Sequence, residues 1–494
     1  MAEGRRRASP GAIVAVLSSC GIVAALMQTL VMPLLPALPK LLHTTATSAS
    51  WVLTATLLAG AVCTPISGRL GDMYGKRRVM LCSLLLLVIG AVLSALTDSL
   101  GAMVAGRALQ GCAMGAIPLG ISIMRDTLPA HRLGSAMAFM SATLGVGGAI
   151  GLPLSAVLAQ NADWHLLFWI AGALGVLSMA AIRFAVPESP VRAGGKFDFA
   201  GTAGLVLGLC CLLLAVSKGG DWGWTSGLTT GLLAGALLVL GGWVALEYRV
   251  RGPLVDLRVS TRKPVLLTNL TTIMVGFAMY AQALILPQLL QAPLATGYGL
   301  GQSLVLAGLW MAPSGLVMIV LSPVSARISA AHGPKTSLML GIAVIAAGYG
   351  GAVFLMDEVW EIVLVSVVVN SGVALAYAAM PALIMRAVPV TETGAANGLN
   401  ALMRSLGTAF SSAVISAVLA TLAITFGGVA LPSRDGFTIA FLIAAGIALA
   451  GLAVASAIPS ATPGDPARAE PGARRRVRHI AAPREHAEPA EQRR

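Results

Sequence analysis

Residues 68–78 read GRLGDMYGKRR: one acid, four bases and three glycines in eleven residues, set between stretches with almost no charge. The flanking segments 51–67 and 79–97 are apolar for about 20 residues each, the length a helix needs to cross a hydrocarbon core of roughly 30 Å. The same alternation of apolar run and short polar turn repeats along all 494 residues. Composition agrees: 57% of the chain is hydrophobic and 11% charged, with a mean hydropathy of +0.84, outside the range in which a soluble core and a polar surface coexist. The chain reads as an all-α integral membrane protein, because backbone groups in lipid must satisfy one another within each segment and the runs are too long and too uniformly apolar for barrel strands.

Fourteen spans are predicted, at 11–35, 51–67, 79–97, 101–124, 134–158, 165–186, 199–217, 227–246, 265–290, 303–324, 336–356, 362–385, 395–424 and 437–458. The first is too long for a signal-peptide core and lacks a small-residue cleavage site, so it is expected to remain as a helix. With both termini cytoplasmic, only Lys40, Lys218 and Arg434 of the 33 Lys and Arg fall outside, and Arg107 and Arg404 fall within spans. The others lie inside, as the positive-inside rule requires. The net charge of +13 is then topology and attraction to anionic lipid rather than a nucleic-acid surface. The six cysteines all sit in apolar spans, and neither disulfides nor a zinc site is expected. The end of the chain, 459–494, is rich in Pro, Ala, Arg and Glu and reads as a disordered basic cytoplasmic tail, with lipid or RNA contact as the alternative to a solvated one.

The opening stretch has an echo. At an offset of 258 residues, SARISAAHGPKT at 325–336 matches Ser67 with Ser325, Arg69 with Arg327, Gly75 with Gly333 and Arg77 with Lys335. A second echo pairs IMRDTLPAHRLGSA from Ile123 with IMRAVPVTETGAA from Ile384. Two related six-helix halves follow, and the seventh and eighth spans become an insert. The expected organisation is a 1–10 cytoplasmic N-tail, an 11–186 bundle, inserted helices at 199–247, a 264–458 bundle and the tail. Parallel repeats of this kind characterise secondary transporters with sites between the halves near the midplane.

These motifs resemble the major facilitator superfamily, specifically its fourteen-helix drug:proton antiporter branch. GRLGDMYGKRR is similar to the family's loop signature between helices 2 and 3, at Gly68, Leu70, Asp72, Gly75, Arg77 and Arg78. GRALQG at 106–111 resembles the helix 4 signature, at Arg107, Gln110 and Gly111. The glycine-rich helix 5 antiporter signature is matched at Gly147, Gly151 and Pro153, with Ser155-Ala156 in place of its closing Gly-Gly. Met27 stands where helix 1 usually carries an aspartate, and Ala330 stands at the position equivalent to Asp72 in the second half. The resemblance implies a major facilitator fold and export of amphipathic drugs, antibiotics or related natural products across a bacterial plasma membrane. It also implies exchange for protons, with a role for Arg107 in that coupling. Import or facilitated passage of a small organic solute is the alternative.

A cation within lipid costs several kcal/mol and so faces an interior or a cavity; Arg107 and Arg404 therefore either serve transport or lock helices through backbone carbonyls and amide side chains. None of the 20 acids lies in the middle third of a span. Gly68 and Gly75 would permit a tight reversal at the membrane face, where Asp72 can cap a helix or pair with an arginine of the other bundle as a conformational latch. The alternative assigns this loop to orientation alone. Gln28, Tyr280, Gln282, Asn370, Tyr377, Asn400 and Arg404 are candidate substrate-cavity groups, each with helix-to-helix hydrogen bonding as its alternative. With no midplane carboxylate, neutral or anionic lipophilic cargo is expected over permanent cations. Absence of a convergent nucleophile, base or metal set, and of a phosphate-binding loop, argues against an enzyme and against direct ATP drive. The expected partners are a lipophilic small molecule, protons and membrane lipids, with no nucleic acid, no cofactor, no metal and a functional monomer.

Overall fold

The computed structural model describes residues 9–34, 37–250, 252–426 and 429–459. The predicted tail 459–494, beyond Pro459, and residues 1–8 of the N-terminal segment lie outside the described residues. Among the described residues fourteen helices are long and apolar enough to cross a membrane. They are α1 (Pro10–Thr29), α2 (Trp51–Tyr74), α3 (Lys76–Ala95), α4 (Leu100–Thr127), α5 (Ala130–Asn161), α6 (Leu166–Ala185) and α7 (Phe199–Trp222). The second seven are α8 (Gly227–Glu247), α9 (Lys263–Gln291), α10 (Leu304–His332), α11 (Pro334–Ala352), α12 (Val359–Ala387), α13 (Thr393–Thr421) and α14 (Arg434–Ser456).

Several helices run past their expected apolar cores, whereas α1 stops at Thr29 and α11 at Ala352, short of the expected 35 and 356. The GRLGDMY of the opening stretch is the last two turns of α2, not a loop, and only Gly75 forms the reversal, with φ +114. The echo behaves alike, since Ser325–His332 is helical and Gly333 turns with φ +87. Polar residues at a helix end can extend it into the interfacial zone, so hydropathy alone truncates such helices. In both halves the positive-φ glycine, which has no Cβ to clash, permits the abrupt start of the next helix. A second difference lies after α13, where the span was expected to reach residue 424. Strands β1 (Ala423–Phe426) and β2 (Val429–Pro432) form an antiparallel hairpin there, held by the Tyr298 hydroxyl, which donates to the Pro432 carbonyl.

Among the described residues, the three largest of four apolar clusters organise the bundle. One joins α1 with α3, α4, α5 and α6, around Leu17, Leu84, Met103, Ile123 and Phe168. A second joins α9 to α12 and α14, around Ile285, Ile345, Tyr349, Val369 and Phe441. The third places Leu205, Leu209, Leu213 and Trp243 of the inserted pair against Ala61 and Val62 of α2 and Leu399 and Leu402 of α13. The far end of α7 is anchored as well. Lys218, expected on the outer side of the membrane, is 1% exposed; its Nζ donates to the Thr47 carbonyl (3.2 Å), to Asp221 (3.0 Å) and to the Ser50 hydroxyl, and lies over the Trp51 ring.

Candidate functional site

The opening stretch closes a seam between the halves. Where α2 passes the start of α13, Gly68 and Gly394 face each other: a Cβ on Gly68 would lie 2.3 Å from the Gly394 carbonyl oxygen. That approach delivers the buried Asp72 carboxylate to the α13 N-terminus, where it accepts from the backbone amides of Gly394 (3.0 Å) and Ala395 (2.8 Å). The first amides of a helix have no partner within it and carry the positive end of its dipole, so a carboxylate satisfies both at once. Arg125, at the end of α4, adds to the seam by donating to Thr393 Oγ1 (2.7 Å) and to the carbonyls of Met385 (2.8 Å) and Val388 (3.4 Å).

The cation beside Asp72 is not the one expected. Arg77 turns away to the Arg183 carbonyl (2.7 Å), exposed Arg78 lies 3.9 Å from Glu188, and Leu70 is half-buried. Lys76 instead is fully buried between Asp72 (3.5 Å) and Asp126 (2.6 Å), and the Ser189 hydroxyl also donates to Asp126. Lys76, Arg125 and Asp126 were missed because a basic residue at a membrane face already has an explanation in topology. Gly68, expected to turn the chain, serves close helix approach.

In α4, buried Arg107 donates to the Met27 carbonyl (3.0 Å) and to Gln110 Oε1 (2.6 Å), while its Nε and Nη2 and the Gln110 amide nitrogen are buried without a hydrogen-bond partner. Gly111 packs on α2, where a Cβ would lie 2.4 Å from the Thr56 carbonyl oxygen. In α5, Gly147 and Gly151 admit α1: a Cβ on Gly147 would sit 2.5 Å from that of Ala25, and one on Gly151 would sit 2.0 Å from Thr29 Oγ1. Pro153 lies inside α5. Ser155, in the place of a signature glycine, is buried and donates to the Leu30 carbonyl, so the replacement adds a helix-to-helix hydrogen bond.

A central cavity lies between the halves, lined by Ile117, Pro118, Ile121, Ser141, Leu144, Thr272, Tyr377, Met380, Pro381, Asn397, Asn400, Ala401 and Arg404. Three of the seven predicted cavity residues meet here. Arg404 is the charged group of the lining and lies over the Tyr377 ring at 5.7 Å. The Tyr377 hydroxyl is buried with no hydrogen-bond partner, and Asn400 donates to Asn269 (2.9 Å) and Thr272 (2.7 Å). The remaining four line other surfaces: Gln28 donates to Met114 Sδ (3.1 Å), Gln282 reaches toward the Ser366 carbonyl (3.5 Å), and Tyr280 and Asn370 are half-buried. Ser141, Thr272 and Asn397 went unnoticed because hydroxyl and amide groups are common on helix interfaces. The cavity volume is about 20 Å³, room for a water or two, whereas drug-sized ligands need roughly 300–1,000 Å³. The halves must part to admit one.

Among the described residues, the hydrogen bonds across the halves run from the central cavity toward one side. Asp72 to Gly394 and Ala395, Arg125 to α12 and α13, Ser141 to the Tyr377 carbonyl (3.1 Å) and Ser322 to the Ala138 carbonyl (2.9 Å) all lie toward the face that carries residues 75–76. That face is closed.

A sequence model described as Major Facilitator Superfamily matches residues 17–412 and 268–487. Among curated proteins, the chain is 27% identical over 410 residues to the tetracenomycin C resistance and export protein of Streptomyces glaucescens, covering 81% of this chain and 74% of that one. It is 27% identical over 369 residues to multidrug resistance protein 3 of Bacillus subtilis, covering 72% and 70%. An uncharacterised MFS-type transporter of Mycobacterium tuberculosis is 28% identical over 83% of this chain, which spans 61% of that relative's length. Two solved structures share the fold. One is the human organic anion transporter MFSD10, with TM-score 0.66 and 16% identity over 90% of this chain and 99% of that one. The other is the proton:xylose symporter XylE, with TM-score 0.60 and 15% identity over 89% and 94%.

Proposed function

The chain belongs to the major facilitator superfamily, a multi-pass membrane transporter and not an enzyme, and from that premise we propose that it exports amphipathic organic compounds by alternating access in exchange for protons. The working units in this reading are six-helix bundles at 11–186 and 264–458 with an inserted pair at 199–247. The face bearing residues 75–76 is cytoplasmic, as the Lys and Arg distribution argues, and both termini lie on that side. The single observation that carries the reading is the confinement of the cross-half hydrogen bonds to this face, over a collapsed central cavity. Such an arrangement is a gate shut on one side of a site.

Asp72 is the latch of that gate. It makes its bonds only when the α13 N-terminus is against α2, so it stabilises the closed state selectively, and only a differential interaction can bias a two-state element. Arg107 reads the α1 backbone at Met27, and its unsatisfied guanidinium nitrogens mark it as the group whose surroundings change in transport. Gly147, Gly151 and Pro153 keep α5 close to α1 and able to bend. Cargo is neutral or anionic and lipophilic, because Arg404 and the unpartnered Tyr377 hydroxyl offer a cation and a hydrogen bond in a lining that carries no carboxylate. The names of the S. glaucescens and B. subtilis relatives support antibiotic and multidrug export. Expression of the full chain in a pump-deficient bacterial host tests the reading: retention of neutral and anionic antibiotics and dyes falls if the chain exports, and rises if it imports a solute instead.

A further inference from the structure

The inserted helices bring two acids together at their ends on the 75–76 face. Asp198 caps α7, where its Oδ1 accepts from Gly201 N at 2.8 Å. Its Oδ2 is buried with no hydrogen bond, and so are both carboxylate oxygens of Glu247, the last residue of α8, which is 3% exposed. The two side chains face the same point: a Cβ on Gly201 would lie 2.3 Å from Asp198 Oδ2 and 2.4 Å from Glu247 Oε1. No cation pairs with either carboxylate among the described residues. Facing Glu247, near it but outside hydrogen-bonding geometry, are the Trp243 indole N–H and the backbone amides of Leu254 and Val255, with Asp198 as the charged neighbour. Arg69, Asp256 and Glu392 gather in a separate pocket beside them, with Ala193 and Gly252.

We propose that Asp198 and Glu247 form a proton-binding site in the inserted pair, sharing one proton, whose occupancy is linked to closure of the α2–α13 seam. Among the described residues, Glu247 is 3% exposed and meets Asp198 rather than a cation, so its charged form is costly there; one proton between the two side chains satisfies an orphaned oxygen on each. A metal ion does not suit the place. Hard cations take six or more oxygens, and here the groups that face Glu247 besides Asp198 are N–H donors; no group of three or more metal-ligating side chains occurs among the described residues.

Two physical connections reach the seam. Ala193 N, in the segment leading to Asp198, donates to the Asp72 carbonyl at 2.7 Å. Leu254 and Val255, whose amides face Glu247, belong to the same buried apolar cluster as Ala61 and Val62 of α2 and Leu399 and Leu402 of α13. This half of the proposal rests on Asp72 being the latch. It gives the two inserted helices a task, and it supplies a titrating group to a chain with no acid near the midplane.

Infrared difference spectroscopy of the full-length protein in liposomes, recorded against pH, reads the shared proton directly and without transport. The carbonyl stretch of a buried neutral carboxylic acid is expected in the wild type and in the control D435N, and is expected to vanish in both E247Q and D198N. Gly201→Ala, whose methyl occupies the space between the oxygens, should displace the band if either of those variants misfolds. A band that survives E247Q and D198N, or that vanishes in D72N instead, overturns the site. If site and seam are linked, D72N keeps the band but moves its midpoint by about one pH unit, a coupling of about tenfold; an unmoved midpoint overturns the link.

Discussion

Replacing Asp72 with asparagine removes the charge from the α2–α13 seam while preserving shape. In the closed state the carboxylate accepts from Gly394 N at 3.0 Å and Ala395 N at 2.8 Å. Asparagine keeps one acceptor oxygen and turns an NH₂ group toward the other amide, so one hydrogen bond is lost and a buried N–H is left unpaired. A bond to a charged acceptor contributes about 1.5–3 kcal/mol net, and the helix dipole adds several tenths to about 1 kcal/mol. Taken together, D72N should weaken closure by about 2–3 kcal/mol, an approximately 30- to 150-fold shift toward the state open on this face. Spin labels at Tyr74 and Val390, both exposed beside the seam, report its width by double electron–electron resonance in a chain whose six cysteines have been replaced. The expected result is a short, narrow distance distribution in the Asp72 chain and a longer component that dominates in D72N. Identical distributions would refute the assignment of closure to this carboxylate.

Three further substitutions probe neighbouring parts. Gly394→Ala places a Cβ 2.6 Å from the Gly68 carbonyl oxygen and 2.7 Å from Asp72 Oδ1, so the same label pair should separate although the carboxylate is intact; an unchanged distance would count against the glycine contact. Lys76→Met strands Asp72 and Asp126 without their shared cation. Breaking a buried pair costs about 3–5 kcal/mol, so thermal unfolding in detergent should occur at markedly lower temperature, with part of the loss recovered by adding Asp126→Asn; equal melting of wild type and Lys76→Met would contradict this. Arg404→Ala should weaken binding of a carboxylate-bearing lipophilic antibiotic by about tenfold or more and that of its neutral ester little, as loss of a charge-assisted contact predicts; titration calorimetry that finds equal effects on both removes Arg404 from anion recognition.

Much of this architecture is legible in the sequence because its cause is one-dimensional. Length and hydropathy suffice to find fourteen spans, and two glycines 258 residues apart mark the same turn in both halves. Comparing the repeats also isolates Asp72, whose counterpart is Ala330. What sequence cannot supply is the partner. The amides that Asp72 binds lie 322 residues away, and they are backbone groups, invisible to any reading of side chains. Lys76 and Lys218 show a related blindness. A lysine next to a membrane span is expected at the surface, yet both are buried against carboxylates and hydroxyls. Cavity residues are legible only in part: a polar side chain in a span signals that it points inward, as Gln28, Gln282 and Asn400 all do in some measure, but only Asn400 faces the gap between the halves. Asp198 and Glu247 are separated by two helices, and their meeting is set by helix lengths and packing that no local pattern encodes.

The claim most directly open to test is that a proton gradient drives export through this gate. Everted membrane vesicles carrying the full-length chain, energised to acidify the lumen, should accumulate a neutral or anionic lipophilic antibiotic, lose it when an uncoupler is added, and accumulate little when they carry D72N. Accumulation that persists undiminished after the uncoupler would contradict proton exchange.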